Sequence, residues 1–239
     1  MSPGPTSGWA SARGPGAEVV PAATVVLARD RPGGGLEVLM VRRSSRLAFA
    51  GGAWAFPGGR VEAADCPPGR PAGSLEAARR AAVRELAEET GLGVPAGSLV
   101  PFAHWTPPPG APRRFATWFF VSACPVGGVE VDGSEIKDHA WIPPAEALAR
   151  RDAGQVELVP PTWVSLFRLA QAPSAAAAVE EASRRRPEVF VTHLAEHAGA
   201  LVALFPGDAG WPDSAPERPG PRHRLWMGPG PWRYERSVP

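Results

Sequence analysis

The segment between Ser74 and Gly91 constrains this chain more than any other part of its sequence. The residues from Leu75 to Thr90 are mostly strong helix formers. Ser74 is a favoured helix N-cap, and Gly91 is a favoured terminator because glycine readily adopts the left-handed conformation that follows a last helical turn. The pattern predicts a single helix with defined ends. The strands on either side of it must pack against this helix.

Three glutamates lie on one face of this predicted helix. Glu85, Glu88 and Glu89 are spaced i, i+3 and i+4, so they project within an arc of about 100°. Carboxylates this close repel one another unless cations lie among them. Hard oxygen ligands of this kind select Mg²⁺ or Mn²⁺. The spacing therefore favours a metal-binding face, with Arg84 at its edge, where an ion pair would hold Glu88.

The segment before the helix separates this interpretation from a plain solvated acidic surface, of which E-x-x-E-E alone is also typical. A strand ends in Phe56-Pro57-Gly58-Gly59. A glycine turn brings backbone carbonyls and amides within reach of a metal or a phosphate. A strand, a glycine turn, a loop and a glutamate-bearing helix together indicate a site for phosphate chemistry.

The rest of the chain predicts mixed strands with helices packed outside them. ATVVLARD and LEVLMVRR, separated by a glycine-rich turn, are typical of a hairpin, and RRFATWFFVSACPV is typical of a buried strand. A further strand is expected around Asp138 to Trp141. The predicted helices after it are PPAEALARRDAG, PTWVSLFRLAQ, 175–186 and 188–205, followed by a loop over 206–222 and a terminal hairpin formed by HRLWM and WRYER.

The glycine turn and the helix resemble the Nudix box, which runs G, five residues, E, seven residues, R-E-U-x-E-E-x-G-U, with U aliphatic. Gly59 opens it, and Arg84 to Leu92 match every fixed position of its second half. The middle departs from the pattern, because Asp65 stands where the box has glutamate and about ten extra residues follow. Glu76 has the right spacing to Arg84. The sequence leaves open whether Asp65 or Glu76 is the first acid of the box.

The resemblance implies an α/β fold, a Nudix-type α/β/α sandwich with a mixed sheet, for a hydrolase domain over 21–172. Residues 1–20 are rich in Gly, Pro, Ser and Ala and are expected to form a flexible tail. Alanine-rich amphipathic segments predict a helical C-terminal extension over 173–239. The expected metal ligands are Glu85, Glu88, Glu89 and Gly59, with Glu88, Glu89 and Arg84 also in catalytic roles. A further acid is expected from a loop after the box; Glu135 is the chosen residue, with Glu130 and Asp132 as competitors.

The sequence upstream of the box suggests a substrate. Arg43-Ser44, Gly52 and the FPGG turn resemble the signature of coenzyme A-cleaving Nudix enzymes, although Ala48 stands where that signature has arginine. The long insertion resembles the acyl-coenzyme A diphosphatase branch. The expected substrate-binding residues are Arg43, Arg113, Arg114, Gly58 and Gly59. The alternatives are an ADP-ribose, NADH or nucleoside triphosphate diphosphatase and a catalytically silent nucleotide-binding regulatory module.

Composition narrows the partners and the setting. The balance of 25 basic and 24 acidic residues gives a net charge of +1, which argues against nucleic-acid binding through bulk charge. The sequence has no apolar run of about 18 residues, the length of a membrane span. We therefore expect a cytoplasmic enzyme acting on a small nucleotide diphosphate. The extension over 173–239 is expected either to cover the distal arm of the substrate or to form a homodimer contact.

A second motif in the chain has an alternative interpretation. His193-Leu194-Ala195-Glu196-His197 fits H-x-x-E-H, an inverted zinc-protease pattern. Zinc would need a third ligand. Two surface histidines on the helix predicted over 188–205 are the preferred interpretation.

Overall fold

A computed structural model describes residues 17–44, 52–124, 128–130 and 136–237 of the chain. Within these residues the helices are α1 (Leu75–Thr90), α2 (Pro144–Asp152), α3 (Pro160–Leu169) and α4 (Ala175–Arg184). The strands are β1 (Val19–Asp30), β2 (Leu36–Arg43), β3 (Trp54–Ala55), β4 (Gly58–Arg60), β5 (Val100–Thr106), β6 (Arg114–Ala123), β7 (Ile136–Ile142), β8 (Glu188–Val191), β9 (His193–His197), β10 (Ala200–Leu204), β11 (His223–Met227) and β12 (Arg233–Arg236).

The main sheet has eight strands and is mixed, as predicted. Its central order is β3-β2-β1-β6-β5-β8, with β4 paired to β1 and β7 paired to β2. The β1–β6 and β5–β8 pairs are parallel, and the other pairs are antiparallel. Helix α1 covers one face, and α3 and α4 pack against the other. The α/β fold class is confirmed.

The two ends of α1 are those expected from the sequence. The Ser74 hydroxyl accepts a hydrogen bond from the Ala77 amide at 3.2 Å. Gly91 follows the last turn with φ 69°, and its amide donates to the Ala87 carbonyl at 2.9 Å. Between these caps, Ala78, Ala82 and Leu86 are fully buried on the sheet. The caps fix where the helix begins and ends, and the buried stripe fixes its rotation about its axis.

The helix predicted over 188–205 is wrong, because the structure has β8, β9 and β10 there. The residues after Pro187 include several β-branched and aromatic side chains, which favour strands. Ala198 and Gly199 take positive φ angles of 49° and 77°, which close a tight hairpin between β9 and β10. The pairing of β8 with β5 joins residues far apart in the sequence, a contact that local periodicity does not reveal.

The two histidines of the H-x-x-E-H motif therefore lie on strand β9 and not on a helix. Four residues along a strand separate their Cα atoms by roughly 13 Å, too far for both side chains to hold one zinc ion in the usual geometry. His193 Nδ1 lies 2.7 Å from the Trp211 carbonyl oxygen, and the two rings stack with centroids 4.7 Å apart. This contact gives His193 a structural role.

The C-terminal extension is mostly sheet, in contrast to the helical extension expected. After α4, strands β9 to β12 form a four-stranded antiparallel sheet in the order β12-β11-β10-β9, which includes the predicted terminal hairpin. The Phe190 ring of β8 stacks on Trp105 of β5 with centroids 3.8 Å apart, and Phe205, directly after β10, meets Trp105 edge-on at 5.4 Å. These rings belong to the core under the main sheet. The boundary at 172/173 remains a prediction.

Phe190 and Val189 offer a matched test of this shared core. Phe190 is fully buried, whereas its neighbour Val189 is 50% exposed. We expect Phe190→Ala to lower the free energy of unfolding by about 3–5 kcal/mol, the cost of deleting a buried aromatic side chain. Val189→Ala should change it by less than about 0.5 kcal/mol. Equal effects of the two variants in urea unfolding would contradict the shared core.

Candidate active site

The glycine turn is pressed against β1 by the carbonyl of Pro57. Thr24 Oγ1 donates to that oxygen at 2.6 Å, and the Val25 amide donates to it at 2.9 Å. Gly58 has a φ of 154°, and a Cβ added there would lie 2.3 Å from the Ala23 carbonyl oxygen. Only glycine leaves room for the chain to approach β1 this closely.

Two glutamates of α1 reach the glycine turn. The Gly58 amide donates to Glu89 Oε2 at 2.9 Å, and Glu89 is only 5% exposed. A Cβ added to Gly59 would lie 2.3 Å from a Glu85 carboxylate oxygen. The Glu85 carboxylate therefore occupies the space directly over Gly59. These carboxylates join the turn to the helix, although 15 residues (60–74) lie between Gly59 and Leu75 in the sequence.

Arg84 bridges two of the three glutamates. Its Nη1 donates to Glu85 Oε1 at 3.0 Å and to Glu88 Oε2 at 2.9 Å. The Glu88 side chain is 58% exposed, whereas the Glu85 side chain is 16% exposed. The ion pair expected between Arg84 and Glu88 is present, and one guanidinium nitrogen is the cation between two carboxylates.

Asp65 fixes the guanidinium of Arg84 from the other side. Arg84 Nε and Nη2 donate to the two Asp65 oxygens at 3.2 and 2.9 Å, and Nη2 also donates to the Arg60 carbonyl at 3.0 Å. The Glu62 amide donates to Asp65 Oδ2 at 2.8 Å. A fork of parallel charge-assisted bonds gives Arg84 a defined orientation.

The protonation of this pair follows from its contacts. Burial alone would raise the pKa of Asp65, but the hydrogen bonds from Arg84 and from the Glu62 amide outweigh burial and hold that pKa below the ordinary 3.8. The hydrogen bond to Asp65 raises the pKa of Arg84. Because the folded-state pKa of Asp65 is depressed, its stabilising contribution is present above pH 3.8 and is lost as the pH falls through the folded-state value.

Glu76 and Asp65, the two candidates for the first acid of the box, lie in different surroundings. Glu76 lies in the first turn of α1, its side chain is 53% exposed, and its carboxylate is 3.6 Å from Arg70. Asp65 is 5% exposed and binds the arginine next to the acidic face. The sequence did not decide between them, because Asp65 has the expected spacing from Gly59 and Glu76 has the expected spacing to Arg84. The structure places Asp65, and not Glu76, against Arg84.

The acidic face suits a divalent cation by its chemistry, although its side chains do not yet surround one point. In the described part of the chain no three His, Cys, Asp or Glu side chains converge as a ready metal site. Glu85 and Glu88 share a cationic nitrogen, and Glu89 faces the turn. Hard carboxylate oxygens next to a backbone carbonyl are the ligands that Mg²⁺ and Mn²⁺ take. The residues present therefore fit the predicted ions.

Several predicted site residues lie elsewhere or cannot be placed. Glu135, Asp132 and the side chain of Arg43 are outside the described residues. Arg113 is exposed, and Arg114 donates to the Pro107 carbonyl at 3.3 Å.

Glu130, a competitor for the further acid, lies at the end of α1. Its amide donates to the Thr90 carbonyl at 2.9 Å, and its Cβ is 3.5 Å from where a Cβ on Gly91 would be. Sequence reasoning did not find the part of Thr24 in holding the glycine turn, because a threonine in a buried strand carries no distinctive signal.

Comparison with known proteins identifies the family. Residues 19–161 match the NUDIX domain, so the chain belongs to this family, as predicted. It is 27% identical over 170 residues to nudix hydrolase 7 of Caenorhabditis elegans, and the match covers 56% of each chain. It is also similar to the crystal structure of a NUDIX hydrolase from Alicyclobacillus acidocaldarius, with a TM-score of 0.62, 26% identity, and coverage of 68% of this chain and 96% of that one.

The match to the Caenorhabditis elegans protein is partial, because this chain spans 56% of the length of that relative. Among the described residues, no helix is both long enough and apolar enough to span a bilayer.

Replacing each of the two acids by its amide tests which of them holds Arg84 for catalysis. Asp65→Asn weakens the hold on Arg84 and should lower diphosphate hydrolysis by roughly 10- to 100-fold, the usual effect of losing a residue that orients metal ligands. Glu76→Gln should leave the rate within about twofold. The measurement is kcat/KM for each variant, with thermal unfolding to verify folding. A larger loss in Glu76→Gln would return the role to Glu76.

Proposed function

We propose that this protein hydrolyses a diphosphate linkage in a nucleoside diphosphate derivative, using divalent cations and water. The observation that carries the proposal is the contact between the acidic face of α1 and the Gly58-Gly59 turn, with Arg84 between Glu85 and Glu88. Membership of the NUDIX family and similarity to two proteins named as hydrolases support it.

The residues proposed to hold Mg²⁺ or Mn²⁺ are Glu85, Glu88, Glu89 and the carbonyl of Gly59. When bound, such ions neutralise a diphosphate, polarise its phosphorus and lower the pKa of water. The protein itself keeps the ligands oriented. The Gly58 amide holds Glu89, while Asp65 keeps Arg84 where it can hold Glu85 and Glu88.

Metal dependence is the primary test of this proposal. Activity should require Mg²⁺ or Mn²⁺ and disappear with chelator. Glu88→Gln and Glu89→Gln should each lower kcat by on the order of 10²–10³, the scale for losing one key electrostatic group. Calorimetric titration with Mn²⁺ should show weakened binding in both variants. Glu146→Gln, which removes an exposed carboxylate from α2, is the control. Near-normal rates and Mn²⁺ affinities in both active-face variants would remove the site.

Glu135 is proposed as the further acid, acting as a metal ligand or as the base that takes a proton from water. The proposal rests on its position in the loop after the box, six residues before Trp141. The same assay extends to Glu135→Gln, which should lower kcat far more than it raises KM. Glu130→Gln is the comparison, because Glu130 lies at the end of α1 and competes for the role. A large loss in Glu130→Gln alone would transfer the role to it.

Coenzyme A or an acyl-coenzyme A is the proposed substrate, cleaved to adenosine 3′,5′-bisphosphate and phosphopantetheine or its acyl derivative. The support is the Arg43-Ser44, Gly52 and FPGG pattern and the long insertion after Asp65. Because the acidic face determines the reaction and not the substrate, selectivity must come from other groups. Arg43, Arg113 and Arg114 are proposed to contact phosphates, since a guanidinium binds two phosphate oxygens at once. ADP-ribose, NADH and nucleoside triphosphates are the alternative substrates.

Dephospho-coenzyme A tests the substrate proposal because it lacks only the 3′-phosphate. We expect kcat/KM for coenzyme A to exceed that for dephospho-coenzyme A by at least about tenfold, since a lost charge-assisted contact costs a few kcal/mol. Equal values would contradict a role for arginine in recognising this phosphate. A tenfold preference for ADP-ribose or NADH would exclude coenzyme A and leave the diphosphatase proposal intact. Turnover of none of these compounds would favour a silent regulatory module.

A further inference from the structure

Trp118 and His104 form an aromatic pair on the main sheet. Trp118 is on β6 and His104 is opposite it on β5, with ring centroids 4.6 Å apart and planes at 53°. Both residues are only partly buried. Trp118 Nε1 is buried and has no hydrogen-bond partner among the described residues. A large aromatic ring left half open on a sheet is suited to contact with a flat apolar ligand.

This pair lies on the face of the sheet that carries the acidic helix. Trp118 alternates with Phe119 and shares a face with Phe120, which packs in the same cluster as the buried alanines of α1. Along one row of the sheet, Gly59 is opposite Ala23, and Ala23 is opposite Trp118. Two strand spacings separate Gly59 from Trp118, a distance of about 10 Å. Gly59 is the residue that the Glu85 carboxylate covers. A single nucleotide is therefore long enough to reach from that carboxylate to Trp118.

Arg114 adds a cation to this face. It lies four residues before Trp118 on β6, so both side chains project to the same side. Its Nη atoms donate to the Ala17 and Pro107 carbonyls at the long distances of 3.5 and 3.3 Å, and its Nε is buried without a partner among the described residues. Because the Nη hydrogen bonds are long, the Nη nitrogens are the donors that a ligand could engage, on the same face as the Trp118 ring and roughly 13 Å along the strand from it. A guanidinium and an open aromatic ring match the two chemical parts of a nucleotide, its phosphate and its base.

Burial also determines the charge of His104. Desolvation lowers the pKa of its imidazole below the ordinary 6.5, so the ring is neutral at physiological pH. A neutral ring can contact a base without competing with Arg114 for phosphate.

We propose that Trp118, supported by His104, is the surface on which the aromatic base of the nucleotide substrate stacks, with Arg114 contacting a phosphate on the base side. The inference rests on the proposed diphosphatase function and adds where the base binds. Stacking accepts any nucleobase, because each has a π-face. Trp118 is then a determinant of affinity for base-containing diphosphates, while the acidic face of α1 performs the reaction.

Trp118→Ala and Trp118→Phe provide the test, with direct binding as a readout independent of turnover. We expect Trp118→Ala to weaken ADP binding in calorimetry by about 5- to 100-fold, the range of base–aromatic stacking, and to raise KM for base-containing substrates similarly with kcat within about twofold. Trp118→Phe should recover most of the affinity. Binding of inorganic pyrophosphate, which has no base, should be unchanged in both variants.

The controls separate this inference from the proposed function. Val189→Ala alters an exposed side chain beside His104 on the same face and should not change ADP binding. Unchanged ADP affinity in a folded Trp118→Ala protein would overturn the stacking surface, as would equal weakening of ADP and pyrophosphate. If the wild-type protein hydrolyses no diphosphate but loses ADP binding in Trp118→Ala, the function fails and the binding surface remains.

Discussion

The forked contact between Asp65 and Arg84 is the interaction on which the rest of the candidate site depends. Asp65 is almost fully buried, and its two oxygens accept from two guanidinium nitrogens, which leaves the third nitrogen to reach Glu85 and Glu88. A partly buried charge that loses its partner is strongly destabilising, whereas the intact pair keeps a fixed geometry. The long insertion lies between Asp65 and Arg84 in the sequence, so this contact joins its two sides and ties the loop before the insertion to the helix that carries the glutamates.

The two faces of the main sheet have different roles in the fold. One face carries α1, whose small alanines pack closely enough to bring glutamates onto the glycine turn. The other face carries the bulk of the aromatic core, in which Trp105, Phe190 and Phe205 pack within 3.8 to 5.4 Å of one another. Strand β8 links the extension to this core through main-chain bonds with β5. The larger of the two apolar clusters thus lies on the face opposite the carboxylates, and a smaller cluster packs α1 onto the sheet.

The sequence predicted features that depend on interactions between neighbouring residues, and it did not predict those that depend on residues far apart in the chain. The ends of α1 were predictable because Ser74 and Gly91 act within one turn of the helix. The strands over 188–205 were not, because β8 depends on β5, more than 80 residues away (106 to 188, by their nearest ends), and alanine-rich segments also suit a helix. Asp65 and Glu76 both fit the spacing of the box, and they differ in a tertiary contact that spacing does not reveal, because only Asp65 is buried against Arg84. The place of Glu135 remains a prediction.

The attachment of Glu89 has a consequence for how this site tolerates change. Its partner is a backbone amide, which every residue except proline possesses, so no particular side chain on the turn is responsible for the contact. The space around that amide is limited by the Ala23 carbonyl and by the Glu85 carboxylate. A replacement at Gly58 would have to adopt a φ of 154° and would place its Cβ against the Ala23 carbonyl, so the anchor depends on the backbone conformation and small volume of glycine and not on the chemistry of any side chain there.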